Sequence, residues 1–158
     1  MSKVTPFLWF DTEAEEAANL YVGLFPNSKI TAVTRYGDAG PGPKGSVMTI
    51  AFELDGRPFT ALNAGPVFKF TEAVSFVIDC DDQAEVDRYW DALIANGGQA
   101  SQCGWLKDRF GLSWQVVPKA LPALIGGPDS DKAQKAMAAM LKMTKLDIAA
   151  LEAAREAP

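Results

Sequence analysis

The chain opens with a short apolar run, Phe7-Leu8-Trp9-Phe10, bounded by Pro6 and Asp11, which predicts a buried strand. Thr12-Glu13-Ala14-Glu15 then has the S/T-x-x-E form of a capping box. Behind it Ala14, Ala17, Ala18, Tyr21, Leu24 and Phe25 share one helical stripe, while Glu13, Glu15, Glu16 and Asn19 face water. Pro26-Asn27 ends the helix. Three strand-like segments follow: Lys29 to Arg35, Val47 to Leu54, and Pro58 to Asn63. Asp55-Gly56 between the last two is a strong two-residue hairpin signal. The first two are joined by a stretch from Gly37 to Gly45, too rich in Gly and Pro for regular structure and expected to be a long loop.

The pattern then repeats. Val74 to Ile78 reads as a strand, Asp82-Gln83-Ala84-Glu85 as a second cap, and Val86, Tyr89, Trp90, Leu93 and Ile94 as a second stripe closed by Gly97-Gly98. Laid over the first stripe, Val86 falls on Ala17, Trp90 on Tyr21, Leu93 on Leu24 and Ile94 on Phe25. Gln99 to Cys103, Gly104 to Lys107 and Leu112 to Val117 are again strand-like, with Arg109-Phe110-Gly111 in a turn. The order strand, helix, three strands occurs twice, which predicts an α+β fold. The tail breaks the pattern: Asp131 to Lys142 places Ala133, Ala136, Met137, Met140 and Leu141 at helical spacing, and Asp147 to Glu156 also reads as helix. Its methionines, with Met143, suit core or interface packing better than a soft binding surface. The expected organisation is one domain over 1–158: a first module 1–68, a second 69–118 and a helical extension 119–158.

Composition narrows the chemistry. The chain has 158 residues, 48% hydrophobic and 22% charged, the make-up of a globular domain with a real core. Its net charge of -5 argues against a sequence-independent nucleic-acid binder. It contains no histidine, which removes Ser-His-Asp triads, Cys-His pairs, HExxH zinc sites and imidazole proton shuttles. No segment has the length of a membrane span, and the apolar residues before Asp11 are too few for a secretory h-region. Cys80 and Cys103 stand far apart with neither in a CxxC, as suits a reducing cytoplasm. The expected location is cytoplasmic, with no nucleic-acid or membrane partner.

The duplicated βαβββ order, with an aromatic-rich second half, resembles the vicinal oxygen chelate superfamily of glyoxalases and bleomycin-resistance proteins. Within it the chain is similar to the PhnB-like branch, often labelled 3-demethylubiquinone-9 3-methyltransferase. Thr5 to Asp11, Leu24-Phe25-Pro26-Asn27-Ser28, Phe59 to Pro66, Phe68 to Phe76 and Cys103 to Gln115 carry the resemblance, which extends over nearly the whole chain. It implies two curled mixed sheets around a cavity, and a homodimer in which modules align or exchange through the Lys69 to Ala73 linker. Metal-dependent members hold ligands on the first strand of each module and on the last strand. Those positions are here Val4 or Pro6, Ala73 or Ser75, and Gln115, a set that offers too few anionic donors for a divalent ion, so no metal and no cofactor are expected. The methyltransferase label meets a similar obstacle, because the turns after Phe10 and Ile78 lack the glycines of an adenosylmethionine site.

In that picture Trp9, Asn63, Phe70, Trp105, Lys107, Trp114 and Gln115 are the candidates to bind a small organic ligand in the barrel cavity. Glu72 is a candidate general base if an apolar cavity raises its pKa. Cys103 is a candidate nucleophile if Lys107 or Arg109 stabilises its thiolate. Lys107-Asp108-Arg109 reads as an exposed turn of alternating charge or as a clamp for an anion. The leading expectation is a metal-independent small-molecule-binding protein. The alternatives are an enzyme of the superfamily (lyase, isomerase, dioxygenase or the labelled methyltransferase) using Glu72 or Cys103, and a dimeric scaffold whose C-terminal helices form the main interface.

Overall fold

The computed structural model describes residues 3–128 and 130–158; Met1 and Ser2 of the N-terminal stretch, and Asp129, lie outside the described residues. The chain forms two compact units, Met1–Phe70 and Thr71–Pro158.

In the first unit, β1 (Phe7–Phe10) leads into α1 (Ala14–Leu24), followed by β2 (Lys29–Arg35), β3 (Val47–Leu54) and β4 (Arg57–Asn63). The sheet order is β1-β4-β3-β2, with β1 parallel to β4 and the other pairs antiparallel, and it does not close on itself. The hairpin expected at Asp55-Gly56 is present. Leu54 pairs with Arg57, and both turn residues have positive φ, 49° and 78°, as a type I′ turn requires. The stripe Ala14, Ala17, Ala18 and Tyr21 is buried against Ile50, Phe52, Phe59 and Ala61 on one face of the sheet. Phe52 and Phe59 stack with ring centroids 5.5 Å apart. Each such aromatic side chain contributes about 1.5–3 kcal/mol through burial.

One local expectation changes, at the start of α1, and one gains a cause, in the loop after β2. Thr12 does not cap α1; the cap position is Glu13, without a side-chain cap bond. The amide of Ala14 instead donates to Oδ1 of Asn63 at 2.8 Å, so a side chain from β4 closes the helix. The Gly-Pro loop is wrapped around the buried ring of Tyr36. A Cβ at Gly42 would come within 2.3 Å of that ring, which is why glycine stands there.

The second unit repeats the plan with β5 (Ser75–Cys80), α2 (Gln83–Ile94), β6 (Gln99–Ala100), β7 (Trp105–Lys107) and β8 (Ser113–Pro118), in the order β5-β8-β7-β6. Here the cap forms as read: Asp82 accepts from the amide of Glu85 at 2.9 Å, and Glu85 accepts from the amide of Asp81 at 2.9 Å. Val86, Tyr89, Trp90 and Leu93 bury against Ile78, Leu106, Trp114 and Val116.

Three helices follow: α3 (Leu121–Ile125), which the periodicity did not show, α4 (Ser130–Met140) and α5 (Ile148–Glu156). They pack on one another, and the segment between α4 and α5 binds back to the second unit's core. Gln83 donates to the carbonyl of Leu146 at 3.0 Å and accepts from the amide of Ile148 at 2.8 Å, while Lys145 pairs with Asp87 at 2.9 Å. Leu146 is fully buried and lies where a Cβ on Gly104 would come within 3.0 Å of it.

Candidate functional site

Strand alternation sorts the second sheet into two faces. Phe76, Ile78, Leu106, Trp114 and Val116 form the face that includes the core against α2, with the Phe76 and Trp114 rings 5.7 Å apart. The opposite face carries two rows that follow from the strand register. One is Gln99, Lys107, Ser113 and Ser75, successive partners across β6, β7, β8 and β5. The other is Trp105, Gln115 and Val77.

On this face lies an open cleft of about 230 Å³, lined by Glu72, Gln99, Ala100, Ser101, Trp105, Leu106, Lys107 and Ser113. Ser113 is 1% exposed, and among the described residues its Oγ is the buried side-chain polar atom with no hydrogen-bond partner. An unmet buried hydroxyl costs about 1–3 kcal/mol, so its position beneath a cleft marks a place where a ligand atom would be welcome. Glu72 stands on the segment entering β5, and its Oε1 forms an ion pair with Nζ of Lys107. That ammonium, by hydrogen bond and charge, holds the Glu72 carboxyl below the usual carboxylate range. The upward shift expected of a general base in an apolar cavity is therefore reversed, because Glu72 is solvent-facing and paired.

The remaining candidates take different places. Gln115 donates from Nε2 to Ser75 Oγ at 3.0 Å, on the cleft's face of the sheet. Trp114 stands on the other face, buried, with its indole N–H donating to Asp108 Oδ2 at 2.9 Å. Asp108 is not an exposed member of a charged turn: it is 2% exposed and also accepts from the amides of Phe110 and Leu112 at 2.9 and 3.1 Å. Arg109 lies over the Phe110 ring, 4.9 Å from its centroid. Cys103 occupies the turn before β7 with φ 59°, half-buried, its amide donating to the carbonyl of Met143 at 2.9 Å.

In the first unit Trp9 donates to the carbonyl of Gly65 at 2.9 Å and meets Phe68 edge-on, 4.9 Å between centroids. Phe70 packs edge-on against Phe10 at 5.2 Å. Asn63 is committed to the fold: besides capping α1, it donates to the carbonyl of Val47 at 3.2 Å, and its own carbonyl accepts from the Tyr36 hydroxyl.

The second unit thus brings Glu72, Trp105 and Lys107 together in one cleft, with Gln115 on the same face. Gln99, Ser101 and Ser113 also line the cleft and were not nominated from the sequence, although the alternation of Ser113 with Gln115 pointed to it.

Neither group associated with relatives of this kind fits these residues. Of the metal positions that the resemblance implies in the second unit, Ala73 or Ser75 and Gln115, the Ser75 hydroxyl and the Gln115 carboxamide are bonded to each other, and among the described residues no three acidic or cysteine side chains are placed to hold a metal ion. The turns into α1 and α2 hold no glycine cradle for adenosylmethionine; Asn63 and Asp82 already satisfy those helix ends.

The family described as 3-demethylubiquinone-9 3-methyltransferase matches residues 2–117, ending within β8. Among solved structures, the PhnB protein from Bacillus cereus is 34% identical, with 74% of this chain and 99% of that chain covered and a TM-score of 0.68. A protein from Pseudomonas aeruginosa (23% identical, 75% and 98% covered, TM-score 0.62) has the same fold. So does the fosfomycin resistance protein FosX from Listeria monocytogenes (13% identical, 80% and 98% covered, TM-score 0.56). No curated protein matches the chain.

Proposed function

The chain belongs to the 3-demethylubiquinone-9 3-methyltransferase family of PhnB-like proteins, on the vicinal oxygen chelate fold, and from that premise we propose that it binds a small organic molecule without a metal. The cleft of the second sheet is the binding site. The observation that carries this reading is the buried, unpartnered Ser113 hydroxyl beneath a cleft walled by an indole and a lysine. At about 230 Å³ the cleft is smaller than a drug-sized pocket of ~300–1,000 Å³, so its ligand is of few atoms. Trp105 offers a flat apolar wall, Lys107 a cation, and Ser113 a directional hydrogen bond.

The same reading includes a homodimer. Val4, Phe7, Val67 and Phe68 are each more than half exposed, apolar side chains that a second copy would take out of water. Light scattering at micromolar concentration measures this part directly; a strict monomer removes it.

Binding is tested by screening small aromatic acids, amides and alcohols for changes in tryptophan fluorescence and melting temperature. A saturable signal that Trp105→Ala abolishes supports the cleft. A full panel that moves neither observable overturns it.

A further inference from the structure

Resting on the cleft as binding site, we infer that its ligand is a small carboxylic acid, and that Glu72 is an internal carboxylate holding the ligand's place on Lys107. Lys107 and Ser113 are register partners on β7 and β8 and point to the same face, so their Cβ atoms stand about 4.5–5.5 Å apart. The ammonium and the hydroxyl carried by such a pair are two donors on one face that can converge on a single carboxylate. In this structure only half of that arrangement is filled. Glu72 Oε1 takes the ammonium, while Ser113 Oγ, nearly inaccessible to solvent, has no partner.

Glu72 itself arrives from outside the sheet, on the segment preceding β5, and its side chain is 59% exposed. An ion pair so exposed is weak and readily broken. A ligand carboxylate that displaces it keeps the charge pairing of Lys107, adds the hydrogen bond that Ser113 lacks, and leaves Glu72 free in water at little cost. Trp105 lies in the neighbouring row of the same face, beside the cleft, where it covers an apolar or planar body attached to that carboxylate. A neutral ligand cannot replace Glu72 on the ammonium and leaves that pair in place, whereas an anion takes it over.

The experiment compares benzoate with benzamide, and indole-3-acetate with indole-3-acetamide, by calorimetry on the wild-type protein and on E72Q, K107M and S113A. In E72Q the competing carboxylate is gone, so acids tighten by about two- to fivefold over wild type, the worth of one exposed ion pair, while amides change little. K107M abolishes the preference for acids. S113A weakens acids and leaves the melting temperature unchanged or raised, since it removes an unmet hydroxyl rather than a used one. Acids and amides binding equally to E72Q would overturn the carboxylate inference and leave the cleft standing. So would acids weakened by E72Q. If none of the four probes binds, the carboxylate inference falls, and the broader screen of acids, amides and alcohols then judges the cleft separately.

Discussion

The side-chain amide of Gln115 donates to the hydroxyl of Ser75 across 3.0 Å, and the superfamily resemblance implies metal ligands at Gln115 and at Ala73 or Ser75. Both groups are neutral, and each already satisfies the other. A divalent ion placed there would have to break that bond and gain no anionic donor in return. Titration with Mn²⁺, Ni²⁺ or Zn²⁺ is therefore expected to leave the melting temperature unchanged. A saturable rise with any of the three, lost in Q115A, would contradict this.

Asp108 predicts a large structural effect from a small change. Its carboxylate accepts from two backbone amides and from the Trp114 indole while almost wholly buried. Asp108→Asn keeps the shape but turns an acceptor into a donor facing donors. The expected loss is about 2–3 kcal/mol of unfolding free energy, read by urea denaturation. A loss near zero would show that the turn from 108 to 112 does not depend on this carboxylate.

The two cysteines separate by reactivity and by pH. Burial, with Glu85 and Asp79 adding their charge, pushes the Cys80 thiol from 9.0 up to about 12. Cys103 is partly open to solvent. A disulfide reagent at pH 8 is expected to modify Cys103 in the native protein and Cys80 only after denaturation. Because the unfolded thiol ionises first, the Cys80 contribution to stability is intact below pH 9 and lost as pH rises toward 12. Cys80→Ala should flatten that alkaline decline; an unchanged slope would remove Cys80 as its source.

Asn63 is expected to act on folding. Asn63→Ala frees the first amide of α1 and the carbonyl of Val47, and should cost about 1–2 kcal/mol in thermal or urea unfolding. Ligand affinity at the second unit's cleft should not change in the same variant. A normal stability with weakened binding would reverse the assignment.

Much of this fold was legible because its signals are local. The alternation of Val47 to Leu54, the Asp55-Gly56 turn and the Asp82–Glu85 cap each act within a few residues, and each appears where the pattern placed it. The expectations that failed turned on specific side-chain partners that no periodic pattern encodes, two of them brought from other strands. Thr12 lost the capping role because Asn63 reaches Ala14 from another strand. Lys107-Asp108-Arg109 reads as an exposed charged turn, yet Asp108 is drawn inward by amides beyond it and by Trp114. The direction of the Glu72 shift depended on Lys107, which the sheet brings to it from β7. For the site, Trp105, Lys107 and Gln115 could be nominated from residue type. Which face each occupied needed the register, and the register separates Trp114 from them.

That separation supplies the most direct measurement of the central claim. In ¹H–¹⁵N spectra the tryptophan indole N–H groups give resolved signals, and titration with the tightest binder of the ligand screen should move that of Trp105 saturably. The Trp114 indole, hydrogen-bonded to Asp108 on the opposite face, should stay in place. Equal movement of both, movement of Trp114 alone, or no movement with any ligand of the screen would contradict binding in this cleft.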